Sequence, residues 1–280
     1  MTEPRTTLLP PDLDRTQPLG PCAGWFGKMP CLGDFASRRL ASEFVEPWDR
    51  WLQRSIAASR QQLGERWLDL FLTSPMWRFA LSPGVCGEHA WAGLLVPSVD
   101  KVGRYFPLTF AVPLERSEAD FLNIFAAQAW YAQLEKIGLS ALNVEFSTDQ
   151  LELGLAVHPF PLSPQAHAEA SAAREIAGWL EGAAASPHAL DITGGTSVAA
   201  VMNGTARAVF SASTTGKTFW WTIAQDGGAT AFHCSAGLPP EDYYAVLLGA
   251  ARARESPAAV DALSVDPLKA LGFEQSTDGA

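Results

Sequence analysis

The residues best suited to chemistry lie in one short stretch, residues 24–39, which also holds three glycines and a proline. Its charged side chains are Lys28, Asp34, Arg38 and Arg39. A glycine-rich loop of this kind invites a phosphate-binding interpretation, which needs glycine, four residues and then Gly-Lys-Ser/Thr. The pattern fails here, because Cys22 stands where the first glycine belongs and Met29 where the magnesium-binding hydroxyl belongs. We therefore expect no nucleotide at this loop.

Two roles remain open for these charges and for Arg104, which lies further along the chain. In the first, Asp34 forms an internal salt bridge with one arginine and anchors the loop. In the second, the cations form an interaction face, since arginine suits planar, bidentate recognition of acidic groups. The candidate partner-binding residues of that face are Lys28, Arg38, Arg39 and Arg104. Both roles can hold at once, with different charges in each.

The other nucleophiles and metal ligands form no recognisable catalytic or metal-binding pattern. No Gly-x-Ser-x-Gly turn is present, and residues 193–197 are only glycine-rich. Cys86 and His89 could pair with His233 and Cys234 as a zinc site, but adjacent residues of a strand point to opposite faces. Buried structural cysteines explain these thiols better. The sequence thus predicts no catalytic residue, no metal and no cofactor.

Trp220 and Trp221 are a further candidate for partner contact. If they lie in a strand, their rings face opposite sides of the sheet. Tryptophan is most often a core residue, but it is also enriched at interface hot spots. One of the two rings is therefore a candidate contact if one sheet face is incompletely covered.

The spacing of apolar residues predicts the elements that must position these side chains. At the charged stretch we expect a strand at 23–26, a rigid loop, and a short helix from Asp34 as N-cap to Leu40. Further helices are predicted at 44–63, 67–72, 117–136, 165–180 and 240–252. Further strands are predicted at 76–81, 90–96, 104–112, 151–157, 197–201, 206–211, 218–224 and 229–234, with a hairpin turn at 226–228. Such an order favours a mostly antiparallel or mixed sheet covered by helices.

Composition limits the class of protein. A chain of 280 residues with 48% hydrophobic residues can bury a sizeable core. A net charge of −10 argues against a general nucleic-acid binder. The sequence contains no apolar run long enough to span a bilayer and no signal-peptide pattern, and its four cysteines are too few for a disulfide scaffold. We expect a cytoplasmic protein without membrane insertion.

The charged stretch resembles the opening of the TagF (ImpM) family, which accompanies bacterial type VI secretion. That family opens with a pattern similar to Gly-x-x-Gly-Lys-x-Pro-x-x-Gly-Asp-Phe-x-x-Arg. This chain fills the pattern with Gly24, Gly27, Lys28, Pro30, Gly33, Asp34, Phe35 and Arg38. Further blocks follow in the family order at 44–52, at 98–108, which contains Gly103 and Pro107, and, less specifically, at 218–222.

The resemblance implies an α/β fold, a three-layer α/β/α sandwich with a mixed, largely antiparallel sheet. The expected TagF-like domain spans 21–255, with a division into two subregions near 140–165 left open. The residues themselves predict the two tails: four prolines and little apolar periodicity indicate a flexible tail at 1–20, and polar composition indicates a polar tail at 256–280. The resemblance also implies a non-enzymatic, cytoplasmic repressor that acts after translation. Such a regulator would sequester the forkhead-associated scaffold protein of the secretion system and intersect a threonine kinase and phosphatase pathway.

Two alternatives stay open from the residues themselves. One is an enzyme of the same pathway, such as a phosphatase or other hydrolase, although the aspartate cluster of a metal-dependent phosphatase is missing from the sequence. The other is a neutral adaptor of the same fold that has no repressing role.

Overall fold

The computed structural model describes residues 20–114, 121–162, 167–181, 197–223 and 231–249. The strands are β1 (Gly24–Gly27), β2 (Ala36–Arg38), β3 (Trp77–Leu81), β4 (Ala90–Val96), β5 (Leu108–Leu114), β6 (Lys217–Trp221) and β7 (Phe232–Ala236). The helices are α1 (Ser42–Leu63), α2 (Trp67–Leu72), α3 (Phe121–Ala126), α4 (Gln128–Ala141), α5 (Thr148–Ala156), α6 (His167–Glu181), α7 (Val198–Ser213) and α8 (Tyr244–Leu247). The predicted tails, apart from Gly20, and the predicted turn at 226–228 lie outside the described residues.

One open sheet contains all seven of these strands in the order β2-β1-β5-β4-β3-β6-β7. Every pairing between the described strands is antiparallel. Strands β1 to β5 come from the first part of the chain, and β6 and β7 extend the same sheet on the β3 side. The expected α/β class with a largely antiparallel sheet is confirmed.

Two separate cores lie on the two faces of this sheet and make the fold three-layered. On one face α1, α2 and α8 cover strand residues such as Phe79 and Trp220. On the other face α3, α4 and α5 cover residues such as Trp25 and Phe110. Alternation along the strands supplies both cores, because successive side chains point to opposite faces.

The first of these cores is centred on aromatic rings from distant parts of the sequence. Trp48 of α1 stacks on Trp220 of β6 with ring centroids 5.8 Å apart. Its indole N–H donates to the hydroxyl oxygen of Thr109 in β5 at 2.8 Å, so the buried polar atom of the ring is satisfied. The sequence blocks at 44–52 and 218–222 therefore pack against each other in the folded protein.

Three sequence predictions are wrong in a shared way. The predicted strand at 151–157 is helix α5, which begins with a capping box between Ser147 and Gln150 and buries Leu151 and Leu155 one turn apart. The predicted strands at 197–201 and 206–211 form the single helix α7, with Ser197 as its N-cap. Short apolar runs suit both a strand and a buried helix, and only the caps distinguish them.

Two helix predictions also need correction. The helix expected from Asp34 to Leu40 is absent, and β2 occupies its centre instead. Asp34 accepts a hydrogen bond from the Phe35 N–H at 2.8 Å rather than capping a helix. The helix expected at 117–136 is interrupted at Ala127, whose ψ of 44° separates α3 from α4, and its first residues lie outside the described chain.

Gly27 shows why the charged stretch needs a glycine at the end of β1. Its φ is 135°, which L-residues rarely adopt, and a Cβ there would overlap the carbonyl oxygen of Pro107. We predict that Gly27→Ala lowers the free energy of unfolding by ~2–4 kcal/mol through strain and steric overlap. Urea unfolding followed by tryptophan fluorescence measures the change.

Gly33 of the same loop provides the matched control. It has no positive φ, and a Cβ added there meets no atom within 4 Å. Gly33→Ala should therefore change stability by no more than ~0.5 kcal/mol. Equal effects of the two substitutions would contradict this explanation of the loop.

Candidate interaction site

A buried carboxylate, that of Asp100, organises the charged stretch. Its side chain is 0% exposed and accepts hydrogen bonds from Lys28 Nζ and Arg104 Nε, each at 2.7 Å. Its second oxygen accepts from the backbone N–H groups of Val102 at 3.0 Å and Arg104 at 2.8 Å. A buried ion needs such partners, because its water shell has been removed.

These partners determine the protonation of the carboxyl group. Burial alone would raise the pKa of Asp100, but the hydrogen bonds from Lys28, Arg104 and Val102 outweigh it and hold the pKa well below its usual range. Asp100 is thus ionised at neutral pH, and it binds the two cations as a charged group.

The same contacts fasten two loops to each other. The loop after β1 and the turn before β5 are joined by the hydrogen bond from Lys101 N–H to Leu32 O at 2.9 Å. The Arg104 guanidinium adds a bond to Gly33 O at 2.6 Å. The Ser98 hydroxyl donates to Lys28 O at 2.7 Å. The sequence blocks at 24–39 and 98–108 therefore form one structural unit, which we call the corner.

The predicted site residues separate into distinct roles at this corner. Lys28 is buried at 4% exposure, so it anchors the loop and is removed from the candidate surface. Arg104 makes the salt bridge expected for Asp34, but at 3.7 Å and with the Asp34 side chain 81% exposed it is a weak contact. Asp100 was missed as a site residue, although it lies inside the third sequence block.

Arg39 belongs to a second anchoring cluster on the opposite face of β1. Its φ is 57°, and its guanidinium donates to the carbonyl oxygen of Ala23 at 2.9 and 3.1 Å and to Glu152 of α5. The Trp25 indole N–H also donates to Glu152, at 2.6 Å. Burial would raise the pKa of Glu152, but these hydrogen bonds and the charges of Arg39 and Arg38 lower it.

Phe35 adds an apolar group to the exposed side of the corner. Its ring lies 6.0 Å from Phe26 and 4.7 Å from Phe106, with the Lys28 ammonium 4.7 Å from its centroid. Despite these contacts 43% of the residue is exposed. One side of the Phe35 ring packs against Phe26 and Phe106, and the rest of the ring is exposed to solvent.

We call the exposed cationic surface at the β2 edge of the sheet the basic edge. Its cationic residues are Arg38, Arg39, Lys101 and Arg104, all of which are exposed. Arg38 and Arg39 lie on the Glu152 side of β1, whereas Lys101 and Arg104 belong to the turn before β5, near the exposed Asp34. The chain as a whole carries a net charge of −10, so the basic edge contrasts with the rest of the molecule. Such a surface favours an acidic partner through steering and bidentate hydrogen bonding.

Trp220 and Trp221 do not contribute to any exposed surface. Their rings face opposite sides of the sheet, as expected for a strand, but Trp220 is 0% and Trp221 5% exposed. Partner contact through either ring required an incompletely covered sheet face. Helices cover both faces at β6, and this removes the two tryptophans from the candidate surface.

The cysteines differ in exposure, with Cys22 and Cys31 half-buried between the extremes of Cys86 and Cys234. Cys86 is fully buried, and burial raises the pKa of its thiol to about 12, in keeping with a structural role. Cys234, in contrast, is exposed on β7, so its predicted burial is wrong. Among the described residues, no group of three or more His, Cys, Asp and Glu side chains is arranged to hold a metal ion.

The corner lies within a part of the chain that is similar to known proteins. Residues 24–157 match the TagF N-terminal domain, described as type VI secretion system-associated. The chain is also similar to PA0076 of Pseudomonas aeruginosa PAO1, at 32% sequence identity over 81% of this chain and 93% of that chain, with a TM-score of 0.63. The chain belongs to the TagF family. No curated protein sequence matches it.

Membership in the TagF family gives the chain an accessory role in type VI secretion. The first three sequence blocks lie inside the TagF N-terminal domain, and the block at 218–222 lies beyond it in β6 and the residue after it. None of the described helices combines the length and apolar character needed to cross a bilayer.

We predict that Asp100→Asn strongly destabilises the fold. The substitution removes the anion while the Lys28 ammonium stays buried, and loss of one partner of a buried pair costs ~3–5 kcal/mol. The control is Asp34→Asn, which alters only an exposed contact and should cost less than ~1 kcal/mol. Chemical unfolding of both variants tests the difference, and equal losses would contradict the anchoring role of Asp100.

The lowered pKa of Asp100 also predicts a pH dependence. Below its unfolded pKa of ~3.9 the unfolded state binds a proton that the folded state resists, so stability falls with falling pH. The contribution is complete above that pKa and is lost progressively as pH drops towards the lower folded pKa. We expect a shallower loss of stability between pH ~4 and ~2 in Asp100→Asn than in the wild type, measured by urea unfolding at each pH.

Proposed function

We propose that this protein is a non-enzymatic regulator that restrains type VI secretion by binding and sequestering the forkhead-associated scaffold protein in the cytoplasm. The observation that supports the proposal is the basic edge, a rigid cationic surface on an otherwise acidic chain. TagF membership supports the setting in type VI secretion. The threonine kinase and phosphatase pathway would act on the same scaffold.

Rigidity is what makes the basic edge suited to binding. Asp100 and Glu152 fix the backbone on both sides of β2 through Lys28, Arg104 and Arg39. A surface that is ordered before it meets its partner loses less entropy on binding. Phe35 would add an apolar contact to the interface, and the exposed cations of the basic edge would guide the acidic partner.

The structure refines which substitutions can test this binding. Reversal of Arg104 would place a carboxylate beside the buried Asp100 and destabilise the loop, so it cannot separate binding from folding. Arg38 and Lys101 are exposed and make no hydrogen bond to Asp100 through their side chains among the described residues. They are the informative positions.

We predict that the double variant Arg38→Glu, Lys101→Glu binds the scaffold at least ~10-fold more weakly than the wild type, because each reversal replaces attraction by repulsion. Titration calorimetry with purified scaffold measures the affinity. Thermal unfolding should give nearly the same Tm for the variant and the wild type.

The matched control is Arg54→Glu in α1. Arg54 is exposed and forms an exposed pair with Glu241 at 3.3 Å, on the side of the sheet where β6 and β7 lie. The Arg54→Glu variant should bind the scaffold as tightly as the wild type does. Unchanged binding by the double variant would show that the basic edge is not the scaffold-binding surface. Failure of the wild type to bind would contradict the scaffold as the partner.

Secretion measured with the protein overproduced separates a repressor from a neutral adaptor. Wild-type protein should lower secretion, and the double variant should not. Scaffold binding without an effect on secretion would leave an adaptor role and contradict repression.

A further inference from the structure

The second edge of the sheet, strand β7, lies at the opposite end of the strand order from the basic edge. Within the part of the chain that the structure describes, β7 pairs only with β6. Among the described residues, no strand pairs with the outer side of β7. An edge of this kind is a template for pairing with another strand.

The hydrogen bonds at both ends of β7 show which residues face outward. At one end the carbonyl oxygen of Ala231 accepts from the Thr222 N–H at 3.0 Å, and at the other the Gly237 N–H donates to Gly216 O at 2.7 Å. In an antiparallel strand, alternate residues direct both backbone groups to the same side. The residues that direct their N–H and C=O away from β6 are Phe232, Cys234 and Ala236.

The side chains of these three residues share one face of the sheet and are all exposed. Phe232 is 57% exposed and approaches Phe219 of β6, with ring centroids 6.2 Å apart. The strand contains no proline, no lysine and no other charged residue. It thus lacks the features with which proteins commonly protect an edge from pairing.

Strand β2 at the other edge differs in each of these respects. It has three residues, ends with the charged Arg38, and is followed by Arg39 in a left-handed conformation that ends the strand. Two copies of β2 would also bring like charges together. Self-pairing is therefore opposed at β2 and unopposed at β7.

We propose that a second copy of this chain pairs with β7 in antiparallel orientation about a two-fold axis at Cys234. In this register Phe232 of each copy lies opposite Ala236 of the other, and the two Cys234 residues lie opposite each other. Every outward N–H and C=O group of the three residues then finds a partner. The uncharged strand is complementary to itself, as a two-fold interface requires.

The size of the contact predicts a weak dimer. A five-residue edge with one apolar strip buries less than the ~1,200 Å² typical of stable complexes. We expect a reversible monomer–dimer equilibrium that depends on concentration, resolved by sedimentation velocity over a dilution series of the full chain. The interface leaves the basic edge of each copy exposed, so it is independent of the proposed scaffold binding.

Two substitutions at Cys234 test the register. Cys234→Lys places two ammonium groups opposite each other at the two-fold axis and should abolish the dimer. Cys234→Ser has nearly the same size and should leave the equilibrium within ~2-fold of the wild type, since the backbone bonds are unchanged. The side chain is exposed, so both variants should keep the wild-type circular dichroism spectrum and Tm.

Oxidative cross-linking reports the same contact directly. Residues of a hydrogen-bonded antiparallel pair have Cα atoms ~5.5 Å apart, within the range that a disulfide can bridge. Copper phenanthroline should convert the wild-type protein to a dimer linked through Cys234, identified by peptide mass, and should leave Cys234→Ser unlinked. A wild type that stays monomeric at all concentrations, or a dimer that persists in Cys234→Lys, would overturn the proposal.

Discussion

The buried carboxylate of Asp100 is the constraint on which the functional end of this molecule depends. An ion removed from water must be surrounded by donors, and here the donors come from a lysine 72 positions away in sequence and from the turn that follows Asp100 itself. Satisfying the carboxylate therefore fixes the loop after β1 against the turn before β5. The close approach of Gly27 to the carbonyl of Pro107 follows instead from the pairing of β1 with β5, which brings the end of β1 to the start of β5.

Because of this constraint, some cations of the corner anchor the fold and others remain available for binding. Lys28 is used internally, Arg104 and Arg39 are partly used in hydrogen bonds to Asp100 and Glu152, and Arg38 remains on the surface. The anchoring and interaction interpretations of the charged stretch are thus compatible. Anchoring by some of these residues gives the others a fixed position, which is what a binding surface needs.

The sequence predicted secondary structure correctly where a local pattern of apolar residues was clear. The strands β3 and β4 and the helices α1 and α2 follow from alternation and helical spacing, and the match to the family blocks located the corner. Helices α5 and α7 were missed because an apolar run does not reveal its period, although Ser147 and Ser197 signalled their N-termini. Asp100 reads as an ordinary turn residue, since its burial arises from packing against a distant loop.

One edge of the sheet is cationic and the other is an uncharged strand, so pairing at the uncharged edge leaves the cationic edges available for a partner. A dimer built through β7 would leave one basic edge at each end of a continuous sheet, because β2 and β7 occupy the ends of the strand order. Two such edges on one particle could engage two sites of a multivalent acidic partner, and the second contact would form at a high effective concentration. Weak self-association could then strengthen a modest affinity at each basic edge without any additional contact.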